Sequence, residues 1–228
     1  MPRVTLDNIR AARKLRERAE LKSWDDADDA LERLAVCFPD NCKRADVLAK
    51  AAAIDKLYST REANIYWVAN AVVLVMQKVK AGEFVPVDAA DVVNAISREK
   101  KVSHTKARYC PSFASKYCHF FVNDWVFPIY DSYADMAVRN LYGRVKPGQI
   151  TRDASPYREF CERVELLRKR DDLEAVDVRE MDRYLWIWGQ HLAQRGNDVQ
   201  VVNEGVFLLF RSKDPDVRAL LEDIQPAS

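Results

Sequence analysis

An amine and a carboxylate stand out as groups that could do chemistry: Lys116, inside S-F-A-S-K-Y-C-H-F-F, and Asp131, directly after F-P-I-Y. A lysine set against an apolar wall of Phe113, Tyr117 and Phe120 loses hydration, which lowers its pKa and leaves a neutral amine able to add to an electrophilic carbon. A nearby carboxylate can support developing positive charge or assist proton transfers. Together the two groups suit a Schiff base at a sugar C1′ and cleavage of an N-glycosidic bond. Asp131 has a second use as the N-cap of a helix predicted over Tyr133–Tyr142, and one carboxylate can serve both roles.

These side chains need elements to position them. Pro111-Ser112 opens a helix predicted over Phe113–Val122, Asn123-Asp124-Trp125 ends it, and Pro128 marks the turn that leads to Asp131. The rest of the chain reads as helices too. Thr5–Trp24 has a thin apolar stripe, which predicts a solvated helix leaning on the body, with the basic run Arg10 to Arg18 forming i,i+4 ion pairs on its face. Asp25–Phe38, Ala45–Tyr58 and Arg61–Ala81 follow. The last is apolar over most of its circumference, the mark of a central, buried helix. Asp88 caps Ala89–Ser97; further helices are predicted over Pro156–Arg170, Val176–Arg195 and Asp214–Ile224. Val199–Phe210 is β-branched at its start, and helix is favoured there because a lone strand would have no partner.

Only six of the 228 residues are glycine, which favours helices with short connections over hairpins and phosphate-cradling loops. Neither G-x-x-x-x-G-K-S/T nor G-x-G-x-x-G occurs. The fold class expected is therefore all-α, a two-lobed helical bundle: one compact unit with an N-terminal helical extension over 1–43 and a core over 44–228. Thirty-six Lys and Arg against 35 Asp and Glu give a formal charge of +1, so a nucleic-acid partner would have to be met by a local patch. Arg98, Lys100, Lys101, His104, Lys106 and Arg108 form such a patch just ahead of the Lys116 segment. Five irregularly spaced cysteines read as reduced thiols and no apolar run is long enough to span a bilayer, so the expectation is a cytoplasmic protein without a membrane segment.

The order S-K-Y at Lys116, then F-P-I-Y-D at Asp131, resembles the helix-hairpin-helix DNA glycosylase superfamily, in particular its 8-oxoguanine glycosylase-like branch. It is similar as well to a group of bacterial proteins that share F-A-S-K-Y and F-P-I-Y-D-S. The resemblance implies a DNA glycosylase, with or without lyase activity, that removes a damaged purine from duplex DNA. Lys116 and Asp131 would be its catalytic pair. L-Y-S-T-R-E-A-N-I, Leu57–Ile65, is similar to the superfamily's wedge segment, which implies that Arg61 and Asn64 fill the gap left by the extruded base. Lys101, Lys106, Arg108, Ser112 and Ser115 would lie on the phosphate side, and Phe113, Cys118, His119 and Trp186 around the base. The superfamily's hairpin is rich in glycine, whereas Tyr109–Ser115 has none. From the residues themselves, His119 is expected to pack or hydrogen-bond locally rather than bind metal, Cys118 to be a buried thiol, and Trp186 to be core.

No cofactor and no metal is expected. The partner expected is duplex DNA carrying a damaged base, met by a monomer at the bacterial nucleoid. Two other readings stay open: a catalytically silent DNA-binding module of the same fold, and a helical protein-interaction domain.

Overall fold

The computed structural model describes residues 2–60, 64–98, 109–122, 126–143, 155–195 and 203–227. Among them the fold is all-α, with eleven α-helices: α1 Leu6–Arg16, α2 Lys22–Cys37, α3 Arg44–Leu57, α4 Ile65–Lys80, α5 Ala89–Arg98, α6 Pro111–Phe121, α7 Ser132–Tyr142, α8 Pro156–Arg170, α9 Val178–Arg195, α10 Glu204–Phe210 and α11 Pro215–Asp223. A 3-10 turn, Ala19–Leu21, joins α1 to α2. Of the ambiguous segment, Glu204–Phe210 is helical, while 199–202 lie outside the described residues. Asn203 caps α10 by accepting from the amides of Gly205 and Val206, which supplies the start signal that the β-branched run lacks.

The chain divides into two units, one of residues 1–26, 131–154 and 158–228, the other of residues 27–130 and 155–157. In the first, α9 is the central helix, and α7, α1 and α10 pack on it. Its inward side buries Met181, Tyr184, Leu185, Ile187 and Trp188. Gly189 brings backbone against backbone: a Cβ there would lie 2.1 Å from the carbonyl oxygen of Tyr133, in the first turn of α7. Helix α1 leans on the body through its stripe: Ile9, Ala11, Ala12 and Leu15 are buried between α9 and α11, while Asp7, Arg10, Arg13 and Lys14 are exposed. Small alanines let the stripe come close to its neighbours.

The basic run differs from expectation. Arg10 pairs with Asp7, but Arg13, Arg16 and Arg18 reach Glu180, Asp25 and Asp214, so these charges cross-link the unit rather than line one helix face. The ends of this unit meet in an antiparallel bridge between Arg3 and Ala227, beside which Asn8 Nδ2 donates to the carbonyls of Asp223 and Gln225.

In the second unit, α3 packs on α4 and α6, and α5 packs on α4 and α6, which closes a four-helix arrangement. Helix α4 buries Val68, Ala69, Ala71, Val72, Val75 and Met76. It is not buried all round, because Tyr66 and Leu74 on its other side are 60% and 43% exposed.

Candidate functional site

Helix α6 starts at Pro111, whose missing N–H falls where no helical partner exists. The helix predicted to open at Pro111-Ser112 is thus present, and Lys116 stands in its middle. Phe113 and Tyr117 are fully buried and Phe120 nearly so. Lys116 itself is 3% exposed. Its ammonium donates to Ser112 Oγ one turn back at 2.9 Å and to the carbonyl of Tyr130 at 3.4 Å, and stands 6.0 Å from the Tyr58 ring centroid.

Tyr130 belongs to the F-P-I-Y turn, and the turn is gripped at several backbone groups. His119 Nδ1 meets the Phe127 carbonyl at 2.7 Å, a contact that places the ring proton on Nδ1. Tyr157 donates its hydroxyl to the Pro128 carbonyl at 3.0 Å. Ser115 Oγ accepts from the Tyr130 amide at 3.0 Å, while Lys116 takes the carbonyl of the same residue. Ser115 is fully buried, and its hydroxyl also bonds the Ser112 carbonyl. Local hydrogen bonding is therefore the role the structure gives His119.

Asp131 belongs to the first unit and caps α7. One carboxylate oxygen accepts from the amides of Tyr133 and Ala134 at 2.9 and 2.8 Å, at the helix end that favours negative charge. Lys116, Ser112, Ser115, Phe113, Cys118 and His119 all belong to the second unit, on α6. Trp186 belongs to the first unit, 4.9 Å from Trp24 ring to ring, with the Arg16 guanidinium within 6 Å of both rings. Cys118 is fully buried, and burial pushes its thiol far above the ordinary range, so it is a packing group rather than a nucleophile. Asn64 caps α4 by accepting from the Trp67 amide at 3.0 Å. Arg61, Lys101, Lys106 and Arg108 lie outside the described residues.

A second buried lysine was not foreseen. Lys50, 1% exposed, donates to the Phe38 carbonyl at 2.9 Å and to Asn41 Oδ1 at 2.5 Å, and its ammonium faces the rings of Tyr117 and Phe121. Asn41 Oδ1 also accepts from the Tyr117 hydroxyl, and Asn41 Nδ2 donates to the Phe121 carbonyl. Loss of hydration lowers the Lys50 pKa to about 8, against the opposing pull of Asp46 and Asp40. The charge sits at the C-terminal end of α2, where carbonyls lack helical partners. Its signal was in the sequence: Val47, Lys50, Ala51 and Ile54 have the spacing of one buried helix face.

Among the described residues no group of three or more His, Cys, Asp or Glu side chains could hold a metal ion. No helix there is long and apolar enough to cross a membrane.

Residues 10–125, half of the chain, match the family model HI_0787_N, described as an N-terminal domain. The chain belongs to the HI_0787_N family. The segment that defines HI_0787_N runs from within α1 to just past α6, so it includes Lys50 and Lys116 and stops short of Asp131. No curated protein and no solved structure matches the chain.

Proposed function

We propose that this chain is a helix-hairpin-helix-type DNA glycosylase in which Lys116 is the nucleophile and duplex DNA with an oxidised purine is the substrate. The observation that carries the reading is the burial of the Lys116 ammonium in an aromatic setting, with two neutral hydrogen-bond acceptors. The uncharged amine is the form that adds to carbon, and it is the form assigned to the reacting enzyme. The likeness of S-K-Y and F-P-I-Y-D to the superfamily's lysine and aspartate segments supports the same assignment.

In this reading Nζ gives up its proton and its bond to the Tyr130 carbonyl, and forms a bond to C1′ of the damaged nucleotide. The C1′–N bond breaks, its electron pair leaves with the base, and the base takes up a proton. The amine then gives a second proton to O4′ as the C1′–O4′ bond breaks, the sugar ring opens, and the nitrogen lone pair forms the C1′=N bond of a Schiff base linking enzyme to DNA. Asp131 carries the charge-supporting role on the strength of the resemblance.

Borohydride reduction of enzyme mixed with lesion-bearing duplex tests this. The expected result is a covalent protein–DNA species that disappears in Lys116→Gln; absence of trapping and of base release across a panel of oxidised purines would refute the proposal. One observation favours a second reading, a DNA-binding module without catalysis: the hydrogen bonds of Lys116 also make it a brace for the F-P-I-Y turn. That reading expects salt-dependent duplex binding that survives Lys116→Gln, with no base release.

A further inference from the structure

We infer that His191 is an acid-sensitive latch between α9 and the α10–α11 pair. Its imidazole lies stacked on Trp188 at 5.1 Å and edge-on to Phe210 of α10 at 5.3 Å. Both ring nitrogens are buried, and neither has a hydrogen-bond partner. One N–H left without an acceptor is a modest cost for a neutral ring. The imidazolium would carry two such donors and a full charge in the same place, which is far more unfavourable.

The charged groups around the ring decide the direction of the response. On α9, Arg195 stands one turn on and repels a second positive charge. From α11, Arg218 and Glu222 line the same cavity as His191, a space of about 190 Å³ bounded also by Gln194 and Phe210. Helix α10 places an aromatic ring against His191, and its own end residues Glu204 and Arg211 are exposed. Burial first, then Arg195, holds the His191 pKa below the ordinary histidine value. Protonation therefore drives the ring out of the Trp188–Phe210 stack toward the cavity, where Glu222 supplies a carboxylate. The end of α11 stays tied to α1 through Asn8, so acid loosens the α10 side and leaves that tie in place.

The sign follows from linkage. With the folded pKa depressed, the neutral-ring packing contributes fully above pH 6.5 and is lost as pH falls from 6.5 to the folded value. The chain has only three histidines, so the His191 ring signals can be assigned by NMR on the full protein. Expected are titration of His191 below pH 6.5 and, in the same range, loss of amide-exchange protection at Val206 and Leu209, approaching tenfold per pH unit, the limit for one proton. His191→Phe keeps the aromatic stack and should remove the acid-dependent loss. Titration at or above 6.5, protection that ignores the His191 transition, or the same loss in His191→Phe would each overturn the latch. If the variant does not fold, the coupling of ring titration to exchange in the unmodified protein decides alone.

Discussion

The hydroxyl of Ser115 accepts the backbone amide of Tyr130 at 3.0 Å, and the next residue on α6, Lys116, donates to the carbonyl of that same Tyr130. Adjacent side chains thus take both polar backbone groups of one residue in the turn that leads to Asp131. With His119 on Phe127 and Tyr157 on Pro128, the turn is fixed by side chains rather than by a backbone ladder. A proline at position 128 suits such a turn, because its only backbone polar group is the carbonyl that Tyr157 takes.

Ser115→Ala removes the hydroxyl that accepts from the Tyr130 amide. The expected loss is about 0.5–1.5 kcal/mol, as for one intramolecular hydrogen bond. Urea denaturation would show it as a lowered midpoint at constant slope. A midpoint equal to that of the unmodified protein would mean that the turn does not depend on this hydrogen bond.

How much of this could be read beforehand depends on range. Asp131 and Asp88 as caps and the helical state of α10 follow from residues within a turn or two of each other, and all are present. The burial of Phe113, Tyr117 and Phe120 was legible for the same reason, since all three are apolar residues of one helix. What was not legible is non-local. Nothing in the first 26 residues states that α1 packs on α9 and α11, and nothing near Arg13 or Arg18 names Glu180 or Asp214 as partners. Tyr58 and Tyr130 likewise meet Lys116 only through tertiary packing.

Gly189→Ala sets two effects of opposite sign against each other. Alanine in a helix interior gains about 1 kcal/mol over glycine. The new Cβ, however, would lie 2.1 Å from the Tyr133 carbonyl oxygen and 2.5 Å from its carbon, and these are backbone atoms that cannot swing aside. Separating α7 from α9 is expected to cost about 2–3 kcal/mol or more, so the net change is destabilising. Gly205→Ala should behave alike, because its Cβ would meet the Glu20 carbonyl oxygen at 2.2 Å. Thermal melts of the two variants test this, and an unchanged or raised Tm in either would refute the close backbone approach at that site.

Lys50 gives the second unit a dependence on alkaline pH. Its folded pKa of about 8 lies below the ordinary lysine value of 10.5, so the unfolded chain binds more protons between those two values. Stability from this group therefore rises as pH goes from 8 toward 10.5, by about 3 kcal/mol in full. Cys118 and Tyr117, both raised by burial, act in the opposite direction once the unfolded thiol and phenol ionise. Comparison with Lys50→Met cancels those two contributions. The stability of the unmodified protein relative to Lys50→Met should climb between pH 7.5 and 9.5, measured by urea titration, and a flat difference would show that the ammonium is not desolvated.

Asp131 is placed to separate its two roles experimentally. As a cap it accepts from the amides of Tyr133 and Ala134, a task that needs an oxygen acceptor but no charge. Asparagine is as good an N-cap as aspartate, so Asp131→Asn should retain stability to within about 0.5 kcal/mol, whereas Asp131→Ala should lose about 0.5–2 kcal/mol. Catalysis asks for something different. In the proposed reaction the carboxylate supports positive charge on the sugar, which a neutral amide does not, so Asp131→Asn should slow base release at least 100-fold while its melting curve overlays that of the unmodified protein. Single-turnover base release and a thermal melt on the same preparation distinguish the cases. Full activity in Asp131→Asn would confine Asp131 to capping and leave Lys116 to act without it.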